Sequence, residues 1–262
     1  MYDAMPENLK TTVTYNTLIT RAARAGQLRD AFDFLRAAPK PDAVTYTALV
    51  RGYVEAGDLD AGREAFDEMR TAGIRPDAAA YNTLVKGLCE AGRSDEGWRI
   101  MEVEMVEGGV EANGMTMSYV LQGLVKEKRY GDCTRLFGEL IGEEGGEGSS
   151  AASSVFLYTT AITAAARTRD FTQALNWIRR MKSDGLTPNL YTLTSLMKAC
   201  TAGGRGDLSL GVWKTVVSRA EAAGEGGERE VDGRARLAAL EAYLQQERWE
   251  EGLELVEESE KL

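Results

Sequence analysis

One seven-residue phrase recurs along the chain, and it constrains the fold more than any other feature. Val13-Thr14-Tyr15-Asn16-Thr17-Leu18-Ile19 returns as Val44-Thr45-Tyr46-Thr47-Ala48-Leu49-Val50 and as Ala79-Ala80-Tyr81-Asn82-Thr83-Leu84-Val85, with a fainter copy at Phe156-Leu157-Tyr158-Thr159-Thr160-Ala161-Ile162. The tyrosines lie 31 and then 35 residues apart; the step from Tyr81 to Tyr158 is 77 residues, two periods plus an insertion. A fixed period in this range means stacked supersecondary units, because one unit cannot bury its apolar face alone. Function is then to be sought on a surface shared by the units.

Each unit reads as two helices. In the second unit, Tyr46, Leu49, Val50 and Tyr53 are spaced to line one face of a helix of about a dozen residues. Gly57 stops that helix, and Asp58 caps the next, which carries Leu59, Gly62, Phe66 and Met69 up to Gly73. Pro76 cannot continue a helix, and Asp77 stands where it caps the following one. The punctuation recurs at Gly26, Gly92 and Gly204, and at Pro41-Asp42 and Pro188-Asn189. Gly62 and Gly97 fall in mid-helix, where Ala31 and Ala174 hold the equivalent places, so a small residue is expected to let neighbouring helices approach there.

The units are placed at 12–42, 43–77, 78–113, 114–154, 155–189 and 190–232, with a degenerate one at 233–262. Residues 1–11 read as the tail of a preceding unit, and the chain as a piece of a longer protein. Two Gly-rich acidic insertions, at 142–154 and 221–232, read as loops; neither matches a phosphate-binding P-loop.

Composition excludes several chemistries. The chain has no histidine, which removes the commonest general base and metal ligand, and with it serine-hydrolase triads, Cys-His nucleophiles and HExxH metalloproteases. Cys89, Cys133 and Cys200 are far apart and read as packed, reduced thiols. No apolar stretch is long enough for a membrane helix, so no membrane partner is expected, nor a cofactor or small-molecule substrate. The net charge of −10 argues at first against nucleic acid. Yet the two insertions and residues 247–262 carry −3, −4 and −5, leaving +2 on the rest of the chain.

The repeated phrases, with Gly87-Leu88-Cys89-Glu90-Ala91-Gly92 and Phe66-Asp67-Glu68-Met69 followed by Gly73-Ile74-Arg75-Pro76-Asp77, resemble pentatricopeptide repeats of the P type over nearly the whole chain. The tetratricopeptide repeat, a protein-binding helix pair of similar period, would place Gly where Ile19, Val50, Val85 and Ile162 stand. The resemblance implies an all-α, right-handed superhelical solenoid of stacked helix-turn-helix repeats. It implies a non-enzymatic chain that binds single-stranded RNA in a chloroplast or mitochondrion, one base per repeat, beside other RNA-processing proteins. A helical scaffold for protein–protein interaction is the alternative.

The resemblance also assigns residues. The first base reader follows the Tyr of each first helix, and the second ends each repeat. The pairs are Asn16/Asp42, Thr47/Asp77, Asn82/Asn113, Ser118/Ser154, Thr159/Asn189 and Thr194/Asp232. By the family's code these read U, G, C, an undefined base, A and G. Asn and Asp at helix starts also serve as caps, so capping and reading compete or coexist at these places. Alternation of Asn, Thr and Ser at one equivalent, exposed position favours reading. Val13, Val44, Ala79, Met115, Phe156 and Tyr191 are implied to sandwich bases. Arg24, Lys126 and Arg167 share a position suited to phosphate contact, as do Arg51, Lys86 and Lys198 at another.

Overall fold

The computed structural model describes residues 11–142, 154–222 and 233–260. Among the described residues there is no β-strand. The chain divides into two compact units, Met1–Glu127 and Lys128–Leu262, and the division falls inside the repeat expected at 114–154.

The first unit runs through α1 (Thr12–Arg24), α2 (Leu28–Ala37), α3 (Ala43–Glu55), α4 (Leu59–Thr71), α5 (Ala78–Glu90), α6 (Ser94–Arg99), a π-helical turn (Ile100–Glu104), α7 (Met105–Glu107) and α8 (Gly114–Lys126). First helices stack on first helices, α1 on α3, α3 on α5 and α5 on α8, while α2, α4 and α6 each pack on the first helix of their own pair. The second unit runs through α9 (Tyr130–Ile141), α10 (Val155–Thr168), α11 (Phe171–Ser183), α12 (Leu190–Ala202), α13 (Gly206–Ala222), α14 (Gly233–Gln245) and α15 (Trp249–Glu260). There α10 stacks on α12 and α12 on α14, with α11, α13 and α15 each on the first helix of their pair. The degenerate unit expected at 233–262 is a helix pair like the others. Residues 143–153 and 223–232, nearly all of both insertions and with them Asp232, lie outside the described residues.

The repeated phrase is the core. Tyr15, Tyr46, Tyr81 and Tyr158 are buried, as are Ile19, Leu49, Val50, Leu84, Val85 and Ile162. Phe66 meets Tyr81 edge-on at 5.0 Å, and Phe137 meets Tyr158 and Trp177 at 5.1 and 5.2 Å, so Tyr81 and Tyr158 are each packed by an aromatic of the preceding second helix. The hydroxyls are not stranded. Tyr81 donates to the Glu104 carbonyl at 3.0 Å, and Tyr158 to the Asp184 carboxylate at 2.6 Å. Burial, then this carboxylate, pushes the Tyr158 phenol above its ordinary value.

The expected helix stops are present as left-handed glycines. Gly26, Gly57, Gly92 and Gly204 close first helices at φ of 73–81°. The bonds Gly57 N–H to Val54 O and Asp58 N–H to Tyr53 O satisfy two of the terminal carbonyls. Arg169 takes the same place without being glycine, at φ 60°.

The close approach expected at mid-helix glycines needs correcting in part. A Cβ on Gly97 would lie 2.7 Å from the Cys89 sulfur, a tight fit, but on Gly62 its nearest neighbour would be Tyr53 Cβ at an ordinary 3.4 Å. The tighter contacts are between first helices. A Cβ on Gly52 would overlap Ala23 of α1, on Gly87 it would overlap Val54 of α3, and on Gly123 it would lie 2.8 Å from the Cys89 Cβ of α5, besides overlapping Ser94 at the start of α6. Stacked first helices touch there, backbone against side chain.

Candidate nucleic-acid interface

The second reader of each repeat is the N-cap of the next first helix. Asp42 caps α3, Asp77 α5, Asn113 α8, Ser154 α10 and Asn189 α12, and each side-chain oxygen accepts a backbone N–H one turn in. Four of the five remain exposed, and Ser154 is half-buried. Capping therefore uses part of each side chain without covering it. Burial raises the Asp42 carboxyl, but hydrogen bonds from the Thr45 hydroxyl and amide and from Asn16 outweigh it and hold the group below its ordinary value.

The first readers are not at an exposed position, as their alternation suggested. Thr47, Asn82, Thr159 and Thr194 are buried, with exposures of 4–9%, and Asn16 and Ser118 are half-buried. For the four buried readers stacking within each unit causes this, since the first helix of the next repeat packs on the one that carries them. Thr47, Thr159 and Thr194 donate their hydroxyls to Ala43, Val155 and Leu190 carbonyls four residues back, at 2.6, 2.6 and 2.9 Å. The Oδ1 atoms of Asn16 and Asn82 accept from the hydroxyls of Thr45 and Thr116, at 2.5 and 2.6 Å. Ser118 accepts from the Gln122 amide at 2.8 Å.

The residues assigned to base stacking are all exposed. Val13, Val44, Met115, Phe156 and Tyr191 are 74, 62, 57, 48 and 50% exposed, and Ala79 is exposed. Each lies on the first turn of a first helix, one residue after N1, on the face opposite the buried residue two positions on: Tyr15, Tyr46, Tyr81, Met117, Tyr158 or Leu193. Helical spacing alone does not leave a Phe and a Tyr half in water when an apolar core lies beside them; their outward direction is set by the stacking of the first helices.

Two open grooves gather these sets. In the first unit, a groove of about 650 Å³ is lined by the reader pair Asn82 and Asn113, by Ala79 and Met115, by Arg51, Lys86 and Tyr119, and by Glu55 and Glu90, the last 3.8 Å from the Lys86 ammonium. In the second, a groove of about 580 Å³ is lined by Arg167, Tyr191, Thr194 and Lys198, with Arg234 and Glu241 of α14. Arg24, Lys126 and Arg167 are exposed. Lys126 donates to the Glu90 carbonyl across to α5, so its ammonium is anchored beside the acidic residue at the equivalent position. The sequence pattern did not single out Thr45, Thr116 and Thr192. They are the N3 residues of α3, α8 and α12, and each joins the two readers of the repeat before it. The signal is the Thr one place before the first reader's neighbour in the phrase, before Tyr46 in one copy and before Met117 and Leu193 in the others.

Among the described residues no group of three or more acidic and cysteine side chains could hold a metal ion. Burial pushes the thiols of Cys89 and Cys133 up to about 12 and that of Cys200 up to about 11.

The profile of the PPR repeat family matches residues 41–90, 76–126 and 153–202, and its single-repeat form matches 13–37. A chloroplastic pentatricopeptide repeat-containing protein of Arabidopsis thaliana is 27% identical over 202 residues, covering 74% of this chain and 21% of that protein. A mitochondrial one from the same plant is 23% identical over 189 residues, covering 72% and 17%. The chain spans only 17–24% of the length of the curated relatives it matches. The crystal structure of the pentatricopeptide repeat protein PPR10 from maize aligns at a TM-score of 0.53 and 24% identity, over 91% of this chain and 38% of that one. PPR10 in complex with an 18-nt psaJ RNA element aligns at 0.52 and 17% identity, over 94% and 40%. At these identities the likeness is one of fold.

Proposed function

The chain belongs to the PPR repeat family, and from that premise we propose that it binds single-stranded RNA, one base per repeat, along the exposed edge of its first helices. The observation that carries this is the groove in the first unit. There one reader pair, Asn82 and Asn113, shares a wall with two stacking positions, Ala79 and Met115, and with the cations Arg51 and Lys86. Base edge, base face and phosphate are thus offered partners within one hollow.

The hydrogen bonds give the readers distinct characters. Asn16 and Asn82 have Oδ1 engaged, so the group left to offer is the amide N–H, a donor suited to the O2 acceptor that U and C share. Thr47, Thr159 and Thr194 spend their proton on their own helix and offer a lone pair, an acceptor suited to the edge N–H groups of G and A. This division agrees with the assignment of U and C to the Asn repeats and of G, A and G to the Thr repeats. We assign the chain no catalytic step, and place its work in organellar RNA metabolism, where relatives are named chloroplastic and mitochondrial.

Titration of the chain with short RNAs and with DNA of the same sequence tests the reading. RNA carrying U and G opposite repeats 1 and 2 should bind most tightly. Asn16→Thr makes repeat 1 match repeat 2 at both readers, and its preference should move from U towards G while the other repeats keep theirs. Equal binding of RNA and DNA, or an unchanged base profile in the folded variant, would count against base reading and leave a protein-binding scaffold as the better account.

A further inference from the structure

In repeats 1, 3 and 5 the two readers are not independent side chains. Thr45 Oγ1 lies 2.5 Å from Asn16 Oδ1 and 2.7 Å from Asp42 Oδ1, and it accepts the Asp42 N–H at 3.2 Å. Thr116 Oγ1 lies 2.6 Å from Asn82 Oδ1 and 3.3 Å from Asn113 Oδ1. Thr192 Oγ1 lies 2.6 Å from Thr159 Oγ1 and 2.9 Å from Asn189 Oδ1. All three threonines are fully buried, so none can itself touch a ligand. In repeats 2 and 4 the same place is held by Ala80 and Leu157, which have no hydroxyl to make the bridge.

We infer that Thr45, Thr116 and Thr192 are positioning residues for base selection, each locking the reader pair of the preceding repeat in one arrangement before RNA arrives. This rests on the RNA-reading proposal. A hydroxyl between two readers fixes which face of the Asn carboxamide is turned inward and holds the capping Asp or Asn beside it. Ordering a free polar side chain on binding costs rotamer entropy, and a prearranged pair has met that cost on folding. A locked pair also resists a base that would need the carboxamide turned over. Repeats 1, 3 and 5 therefore discriminate more sharply than repeats 2 and 4.

The experiment compares affinities for RNAs that differ only at the base facing repeat 1 or only at the base facing repeat 2. Thr45→Val keeps the shape and removes the bridge. Its ratio of best to worst base at repeat 1 should fall severalfold, with the ratio at repeat 2 unchanged. Thr45→Ser should restore the ratio, and Ala80→Ser, which installs a bridge in repeat 2, should raise discrimination there. Chemical denaturation of each variant is measured in parallel, because lost stability alone weakens all RNAs alike and leaves the ratios intact. A folded Thr45→Val chain with an unchanged ratio at repeat 1 would overturn the inference. A parent chain that shows no base preference at any repeat would instead bring down the RNA-reading proposal, and the inference with it.

Discussion

A Cβ placed on Gly52 would overlap the Cβ of Ala23, with the Ala23 Cα only 3.0 Å away. The first helices of repeats 1 and 2 are therefore in contact at a point with no room for a methyl group. Gly52→Ala gains helix propensity but must push α3 off α1, and overpacking of this kind typically costs about 1–3 kcal/mol. Gly138 in α9 has nothing within 4 Å of an added Cβ, so Gly138→Ala should stabilise by about 0.5–1 kcal/mol. Urea denaturation midpoints of the two variants should move in opposite directions; a stabilised Gly52→Ala would mean the helices are not so closely packed.

Arg169 holds a left-handed conformation, φ 60°, where α1, α3, α5 and α12 use glycine. A non-glycine residue there costs about 1–2 kcal/mol, partly offset by the greater freedom of glycine in the unfolded chain. Arg169→Gly should raise stability by about 0.5 kcal/mol, read as a higher denaturation midpoint. A lower midpoint would show that the Arg169 side chain contributes more than its backbone loses.

The three cysteines should be silent to thiol reagents while the chain is folded. They are buried, and desolvation pushes Cys89 and Cys133 up to about 12. At pH 8 such a thiol is thiolate to only about one part in ten thousand. Alkylation followed by mass spectrometry should modify none of them in native buffer and all three in denaturant, and fast labelling of any one in native buffer would contradict its packing.

Asp42 gives a pH dependence with a definite sign. Its folded carboxyl is held below the ordinary value of 3.8, so the stability it contributes is complete above that value and is lost as pH falls through the lower, folded one. Asn at the same cap accepts the same backbone N–H but does not titrate. Asp42→Asn should therefore lose less stability than the parent between pH 5 and pH 2. Parallel acid-unfolding curves for the two would show that Asp42 carries no such linkage.

The readers show where sequence reasoning reaches its end. That Asp42, Asp77, Asn113 and Asn189 start helices followed from the Pro and Gly around them, because capping is satisfied within one turn of chain. That Asn16 meets Thr45 did not follow, because the two are 29 residues apart and meet only when α1 and α3 stack. Burial of Thr47, Asn82, Thr159 and Thr194 was missed for the same reason, since helical period tells which face a residue occupies and not how closely the next helix covers it.

The sequence by itself determined the unit: its two helices, the glycines that stop them, the acidic and amide caps that start them, and the Tyr, Leu and Ile or Val that form the core. These depend on interactions between residues a few positions apart, and each repeat states them again. The tertiary structure alone decided the spacing between units. It chose Gly52, Gly87 and Gly123 over Gly62 as the points of closest approach, turned Phe156 and Tyr191 outward, and brought the hydroxyl of one repeat onto the reader of the one before. Those relationships join residues about one repeat apart, and no local preference encodes a distance between helices whose contact depends on the packing of both.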